Sequence, residues 1–265
     1  MQIRKGSEYM LQQFFLDHVN ATHSASYDIT ASYKLHCHPI YELYYFISGT
    51  VDYLVNGVLY QPKPNSMLLM APGTFHECRV KTADKYERFT LHFDASLVPE
   101  KIRTQIMRPF HATVIYYENV DSIYYELNAL QACYEYPEEL SVTSVNARLV
   151  AMLCQILNTY NAYKPPEEAA VEMTLPQKII EHINTNFASK ITLDMLSQQF
   201  FMSKNQINRI FTKATGRSVM EYVRQKRIVY AEHLRAMGTP ASEAAYKAGF
   251  DNYSTYFRLK QKWKD

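Results

Sequence analysis

The chain has 265 residues and a formal net charge of +2, long enough for two modest domains and close to neutral as a whole. No apolar run approaches the ~20 residues of a membrane span, and the N-terminal stretch MQIRKGSEYMLQQFF lacks the apolar core of a signal peptide. Four scattered cysteines without a CxxC pair exclude a disulfide framework and a zinc ribbon, so a cytoplasmic protein with no membrane partner is expected.

The charge is unevenly spread. Residues 174–265 hold 15 Lys+Arg and 7 Asp+Glu, a surplus of 8, whereas residues 1–173 hold the remaining 13 and 19, a deficit of 6. That asymmetry fits a polyanion partner for the C-terminal third and, equally well, a solvated basic helical surface.

Residues 27–93 read as β-structure. In VDYLVNGVLY (51–60) Asn-Gly separates two apolar runs, a hairpin signal because both residues tolerate positive φ. RFTLHF (88–93) places Phe89, Leu91 and Phe93 on one face, and YELYYFI (41–47) is apolar on both faces, as in a buried strand. Short strands with close turns predict a barrel or sandwich. Residues 96–163 read as helix. Val120, Ile123, Leu127 and Leu130 recur at helical spacing, as do Val145, Leu149, Leu153, Ile156, Leu157 and Tyr160. Two amphipathic helices meeting near YPEEL (136–140) predict a helical hairpin, whose outer face could pack on the barrel or pair with a second subunit. KPPEEAAVEM (164–173) reads as a linker.

The remainder reads as helical throughout. ITLDMLSQQF starts at Thr192 as N-cap, and SKNQINRIFTKATG opens with Ser203 and has Gln206 three residues on, a capping box. Only Phe201 and Met202 separate these segments, which is helix-turn-helix spacing. A long helix over 218–237 follows. Then Thr239 as cap, Pro240 at the first helical position and Gly249 as stop frame a short helix, and NYSTYFRLKQKWK (252–264) completes a second helix-turn-helix. A 20-residue connecting helix is ~30 Å long, close to the ~34 Å between successive major grooves on one side of B-DNA. Two different units in one chain would read a non-palindromic site. In 203–214 the apolar stripe Ile207, Ile210, Phe211 must face the core, leaving Lys204, Asn205, Asn208 and Arg209 outward. Asn and Arg can bond bidentately to adenine and guanine edges. In 252–264 the outward candidates are Tyr253, Ser254, Thr255 and Arg258, with Tyr256, Phe257 and Leu259 inward.

INRIFTKATGRSVMEYV, RIVYAEHLRA and AAYKAGFDNYSTYFR together resemble the AraC/XylS family of bacterial transcription regulators, over roughly 175–263. The resemblance implies a seven-helix DNA-binding domain whose base-reading positions fall on Asn205, Asn208 and Arg209 and on Tyr253, Ser254, Thr255 and Arg258. Three features depart from the family pattern. Phe201 stands at a turn position where Gly is frequent, at a cost of ~1 kcal/mol if left-handed. Lys260 replaces a core Phe, and the sequence ends at Asp265 before the usual Gly-x-x-Pro tail. A less stable second unit is expected, with Trp263 supplying apolar contact.

HCHPIYE (36–42) poses the question of a metal. The N-terminal half resembles a cupin barrel, with His36, His38, Glu42 and Gly49 matching the first cupin motif, although Thr30 replaces its leading Gly. Pro72, shifted by one, Gly73 and His76 partly match the second. Positions 36, 38 and 42 share strand parity and so one face, unless Pro39 breaks the strand. Three His and a Glu suit Mn, Fe, Zn or Ni, yet sensor cupins in this family often keep such residues without a metal. His36, His38, Glu42, Tyr44 and His76 are therefore expected to bind a small effector, with no metal and no cofactor. Tyr41, Tyr44, Tyr45, Phe46, Tyr53 and Tyr60 add flat faces and hydroxyls suited to a small polar ligand such as a carbohydrate, one or two of them in contact.

These features predict an α+β chain. Residues 1–163 form a cupin-like sensor barrel with a helical dimerisation hairpin, 164–173 a linker, and 174–265 an all-α double helix-turn-helix reader. The expected function is ligand-responsive transcription regulation, not catalysis. Expected partners are operator or promoter DNA, a small-molecule effector, a second copy of the chain, and RNA polymerase as a further candidate. The rival is a metal-dependent cupin enzyme or metal sensor fused to a DNA-binding domain.

Overall fold

The computed structural model describes residues 2–6, 9–16, 18–28, 32–111, 115–118, 120–162 and 174–264. The expected linker over 164–173, Thr30 and the Trp263 side chain lie outside what is described. The first part of the chain runs β1 (Gln2–Gly6), β2 (Tyr9–Leu16), β3 (Val19–Ser26), β4 (Ser32–His36), β5 (Tyr41–Ser48), β6 (Val51–Val55), β7 (Val58–Tyr60), β8 (Ser66–Met70), β9 (His76–Val80) and β10 (Tyr86–Phe93). It continues through α1 (Glu100–Ile106), α2 (Arg108–His111), β11 (Ile115–Glu118), α3 (Asp121–Ala132) and α4 (Glu138–Ala162). The second part is α5 (Leu175–Asn186), α6 (Leu193–Gln199), α7 (Lys204–Thr215), α8 (Val219–Ala236), α9 (Ala241–Lys247) and α10 (Tyr253–Lys264).

The strands form two sheets, ordered β1-β2-β3-β10-β5-β8-β11 and β4-β9-β6-β7. β5 lies near the middle of the larger sheet, and Tyr41 through Phe46 are all buried. Alternation splits them between two cores. Tyr41, Leu43 and Tyr45 join Phe89, Leu91 and Phe93 under the helices, with Ile123, Leu127, Val145, Leu149 and Ile156. Tyr44 and Phe46 face the second sheet, with Val51, Tyr53, Val55, Leu68 and Cys78. Each fully buried side chain of this size contributes about 1.5–3 kcal/mol. The hairpin between β6 and β7 turns on Asn56 (φ 48°) and Gly57 (φ 81°), the two positive φ values that an Asn-Gly turn supplies.

Several elements differ from the sequence expectation. Strand structure begins well before residue 27: β3 pairs with β10 along its whole length, Val19 opposite Phe93 and Ser26 opposite Tyr86. Its small and polar residues, VNATHSAS, carry little local strand propensity, and the pairing is set by a partner 60 residues away. β11 interrupts the stretch expected to be helical and pairs with β8, Ile115 opposite Leu69. The expected absence of a long apolar segment does not hold for α4, which by length and composition alone could cross a membrane. Beyond its first turn only Arg148 is charged, and one side packs Val145, Leu149, Met152, Leu153 and Ile156 into the core.

In the helical part, Thr192 caps α6 through Met195 N–H at 3.2 Å, and Ser203 with Gln206 closes the expected capping box on α7. A further box, Ser218 with Glu221, starts α8. Phe201 has φ 53°, the left-handed turn residue anticipated from the family resemblance, and is 95% exposed. Thr239 does not cap α9; Pro240 occupies the cap position without a side-chain bond. Gly249 (φ 91°) stops the segment, and a Cβ there would meet Ala188 O at 2.4 Å. Lys260 replaces core apolar surface without stranding its charge, since its ammonium meets Glu232 at 2.7 Å. Glu232 also accepts from Tyr256 Oη and from Arg235.

The helical part sits on the barrel along one stripe of α8, spaced at helical intervals. The Tyr222 ring stacks on Phe75 (centroids 4.0 Å), and its hydroxyl lies 3.4 Å from Asn56 Oδ1. Lys226 Nζ donates to Gly73 O at 3.0 Å, and His233 lies edge-on to Tyr41 at 5.7 Å. Gln177 Nε2 and Arg217 Nη2 donate to Gly57 O and Leu35 O. Burial lowers the Lys226 pKa from its usual 10.5 to about 8. Below pH 8 both folded and unfolded chains hold that proton, so the cost of burying the ammonium is fully present. Between pH 8 and 10.5 only the unfolded chain keeps it, and stability rises with pH by up to about 1.4 kcal/mol per unit. Chemical denaturation at pH 8 and at pH 9.5 should show this rise in the wild type and lose it in Lys226→Met; an unchanged slope in the variant would assign it to another group.

Candidate ligand cavity and nucleic-acid interface

Between the two sheets lies a cavity of about 170 Å³, lined by residues including Glu42, Tyr44, Tyr53, His76, Arg88 and His92. Every strand places alternate residues inward, so polar side chains at positions 42 and 44, 76 and 78, and 88, 90 and 92 converge from three strands. Glu42 is the centre. It is 3% exposed, and its Oε2 lies 2.7 Å from His38 Nε2, 3.2 Å from His76 Nε2 and 3.3 Å from His92 Nε2. Burial alone would raise the Glu42 pKa. The charges of His76 and His92 and hydrogen bonds from His38 and His76 outweigh it and hold the carboxyl well below the usual carboxylate range.

The histidines are fixed from behind. His38 Nδ1 faces Ile40 O at 3.0 Å and His76 Nδ1 faces Thr74 O at 2.9 Å. Each ring thus has an acceptor beside both nitrogens, more than a neutral imidazole can satisfy by donation. His36 is the outermost of the group, with its ring 4.2 Å from that of His76. Tyr44 donates to or accepts from Tyr86 across 3.2 Å, and the Tyr53 ring lies parallel to His76 at 6.2 Å. Burial pushes the Tyr44, Tyr53 and Tyr86 hydroxyls well above their usual pKa, which keeps them neutral hydrogen-bonding groups.

Of the five residues expected at the effector site, His36, Glu42, Tyr44 and His76 line this cavity, and His38 reaches it through its contact with Glu42. Sequence reasoning missed His92, Tyr86, Arg88 and Thr90. His92 lies directly opposite Glu42 in the β5–β10 register, a relation that no local motif reveals. The ligand atoms of His38, Glu42 and His92 lie within 4.8 Å of one another, so the metal-capable group found among the described residues includes His92 and leaves out His36 and His76. Of the aromatic candidates, Tyr44 and Tyr53 line this cavity, Tyr41 and Tyr45 turn to the helices, and Tyr60 lines a second cavity. That second cavity, about 370 Å³, lies between barrel and helical part, with Asn56, Leu69, Ile180, Asn184, Lys226 and His233 in its wall.

On the helical part, α7 buries Ile207 and Phe211 and half-buries Ile210. Lys204, Asn205 and Arg209 are exposed, and Lys204 Nζ pairs with Asp194 at 2.5 Å. Asn208 is half-buried and partly engaged, its Oδ1 accepting Val219 N–H at 3.1 Å, which ties α7 to the start of α8. On α10, Tyr253, Ser254 and Arg258 are exposed, while Thr255 is half-buried with its N–H held by Asn252 Oδ1 at 2.8 Å. Tyr256 and Leu259 pack inward, but Phe257, expected inward, is 46% exposed. The available core is filled by Phe250, Tyr256 and small residues of α9, leaving no place for a second ring one residue on.

Two family descriptions match the chain: an AraC-like ligand binding domain over residues 19–144 and a helix-turn-helix domain over 196–265. Among curated relatives, the uncharacterized HTH-type transcriptional regulator YdiP of Escherichia coli K12 is 23% identical over 223 residues, covering 82% of this chain and 73% of that protein. The HTH-type transcriptional activator RhaS of Escherichia coli O1:K1 is 26% identical over 149 residues, and the match spans about half of each protein, 54% of this chain and 52% of RhaS. A solved structure of ToxT from Vibrio cholerae aligns over 92% of this chain and 94% of its own at 12% identity, with a TM-score of 0.40, too low to add to the assignment. The two matched regions, one on the barrel and its helices and one on the twin helix-turn-helix units, show that the chain belongs to the AraC/XylS family of transcription regulators.

Proposed function

We propose that this regulator is a one-chain switch: residues 1–163 sense a small polar, hydroxyl-rich molecule such as a carbohydrate, 164–173 link, and 174–265 read a specific DNA site. The observation that carries DNA reading is the two-sidedness of α7. Its buried face seats Ile207 and Phe211, and its exposed face offers Asn205 and Arg209 to the solvent. Asn, Arg and the second-unit residues Ser254 and Arg258 are side chains that pair with base edges. The basic surplus of the last 92 residues supplies the sequence-independent attraction to phosphate.

The barrel cavity supports the effector assignment. Its wall offers a carboxylate, imidazoles, tyrosine hydroxyls and a guanidinium within one small volume, partners that a hydroxyl-rich ligand satisfies several at a time. A second reading rests on His38, Glu42 and His92, whose ligand atoms are close enough for one divalent ion, with imidazole and carboxylate donors suited to Zn, Fe, Mn or Ni. In that case the domain senses or uses a metal. We further assign dimerisation to the outward side of α4, where Leu140 is 54% exposed and Ala147, Ala151 and Cys154 continue the same uncharged face at helical spacing. Sedimentation of the purified chain distinguishes dimer from monomer. Residence in the cytoplasm follows from a partner that is chromosomal DNA.

Arg209→Ala should weaken binding to the chain's selected DNA site by about 1–3 kcal/mol and relax base choice at one position. A titration in which the variant keeps wild-type affinity and preference would remove Arg209 from the reading set.

A thermal-shift screen of sugars and polyols should find at least one compound that raises the melting temperature of the wild type but not of His76→Ala. A compound that shifts both equally binds elsewhere, the cavity beside Lys226 being the next site to probe. One equivalent of copurifying transition metal, lost in His38→Ala or His92→Ala, with no compound shifting the wild type, would favour the metal reading.

A further inference from the structure

The two recognition helices begin at Lys204 and Tyr253, and their residues correspond at a constant offset of 49. Buried Ile207 answers to buried Tyr256, and exposed Arg209 answers to exposed Arg258. Phe257 therefore stands where Asn208 stands in the first unit. There the two helices part ways chemically. Asn208 is drawn toward the start of α8 by the bond to Val219 N–H. Phe257 is left 46% exposed, one turn from the 38%-exposed Tyr253, with ring centroids 6.1 Å apart.

An aromatic pair is an unusual thing to leave open on this surface. Its neighbours on α10, Ser254, Arg258, Gln261 and Lys262, are all exposed and polar or basic, as a helix facing DNA requires. Hydrogen-bond readout would call for Asn, Gln or Arg at position 257. A phenyl ring can offer only apolar contact, and the one apolar group that a base pair presents in the major groove is the 5-methyl of thymine. We propose that Phe257, with Tyr253 beside it, is a specificity-determining residue that packs on a thymine methyl in the second unit's half of the site. The second unit then favours T·A pairs by methyl contact, whereas the first reads base edges through Asn205 and Arg209. This inference rests on the assignment of α10 as a DNA-reading helix made above.

The test alters the DNA before it alters the protein. Duplexes are selected from a randomised library with the full-length chain, and each thymine of a selected site is then replaced singly by deoxyuridine, which removes only the methyl. At one or two positions in the half contacted by α10, wild-type affinity should fall about fourfold, the equivalent of about 0.8 kcal/mol for one buried carbon. Phe257→Ala should bind the thymine duplex more weakly and show a thymine-to-uracil ratio near one at those positions. Phe257→Leu, which keeps an apolar contact, should retain part of the ratio. Melting curves confirm that the variants are folded, and the wild-type arm is independent of them.

Equal wild-type binding to thymine and uracil at every position overturns the proposal, as does an unchanged ratio in Phe257→Ala. If DNA affinity is indifferent to Phe257 but transcription with purified RNA polymerase falls in Phe257→Ala, the ring contacts a protein and the proposal is overturned in favour of that partner. If the selection yields no preferred sequence at all, the DNA-reading assignment itself fails, and this inference with it.

Discussion

One helix holds three interfaces apart at fixed distances. α8 has 18 residues and so is about 27 Å long. Its N-terminal half gives Val219, Tyr222 and Val223 to the core of the first helix-turn-helix unit, with Ile207 and Phe211. Its C-terminal half gives Ile228 and Ala231 to the core of the second, with Ala244, Ala245 and Tyr256. The stripe Tyr222, Lys226, Val229 and His233 meets the barrel. We propose that this helix sets the separation of α7 and α10 to the spacing of adjacent major grooves. Because the same helix touches the barrel, a shift of barrel against reader moves both recognition helices together.

The barrel's contribution depends on two strand ends: β4 stops at His36, so Pro39 does break the strand expected to carry positions 36, 38 and 42, and β9 starts at His76. At residues 36–38 the histidines turn toward the cavity while Cys37, between them, packs in the reader's core beside Phe75 and Tyr222. At residues 75 and 76 the pattern repeats: Phe75 stacks on Tyr222 of α8, and His76 lies against Glu42 in the cavity. Cavity wall and reader contact are thus successive residues of the same short segments. A ligand that moves His76 moves the backbone that carries Phe75. Lys226 bonding to Gly73 O, three residues before His76, adds a polar tie at the same place. If the cavity holds the effector as proposed, these shared segments are the route by which its occupancy would act on the reader.

Much of this was legible in the sequence, and the boundary of legibility follows the range of the interactions. Capping boxes and the Asn-Gly turn are local, and residues within three or four positions determine them; the left-handed Phe201 was anticipated from the family resemblance. The apolar stripes of α3, α4 and α7 were legible for the same reason. What escaped depends on distant partners. β3 and β11 are strands because β10 and β8 pair with them. His92 joins the site because register places it across from Glu42. The stripe on α8 that meets the barrel looks, in sequence, like any buried helix face, and nothing local says which domain buries it. Phe257 was misplaced because an apolar residue beside Tyr256 invites an inward assignment, while a helix face has room for only one of two consecutive rings.

The central claim is that α8 presents both recognition helices to one face of the same duplex. Hydroxyl-radical footprinting of the full chain on a selected site tests it most directly. The structure predicts two protected segments per chain, centred about 10–10.5 base pairs apart on one face of the helix. A single protected segment per chain, or two segments on opposite faces of the duplex, would contradict it.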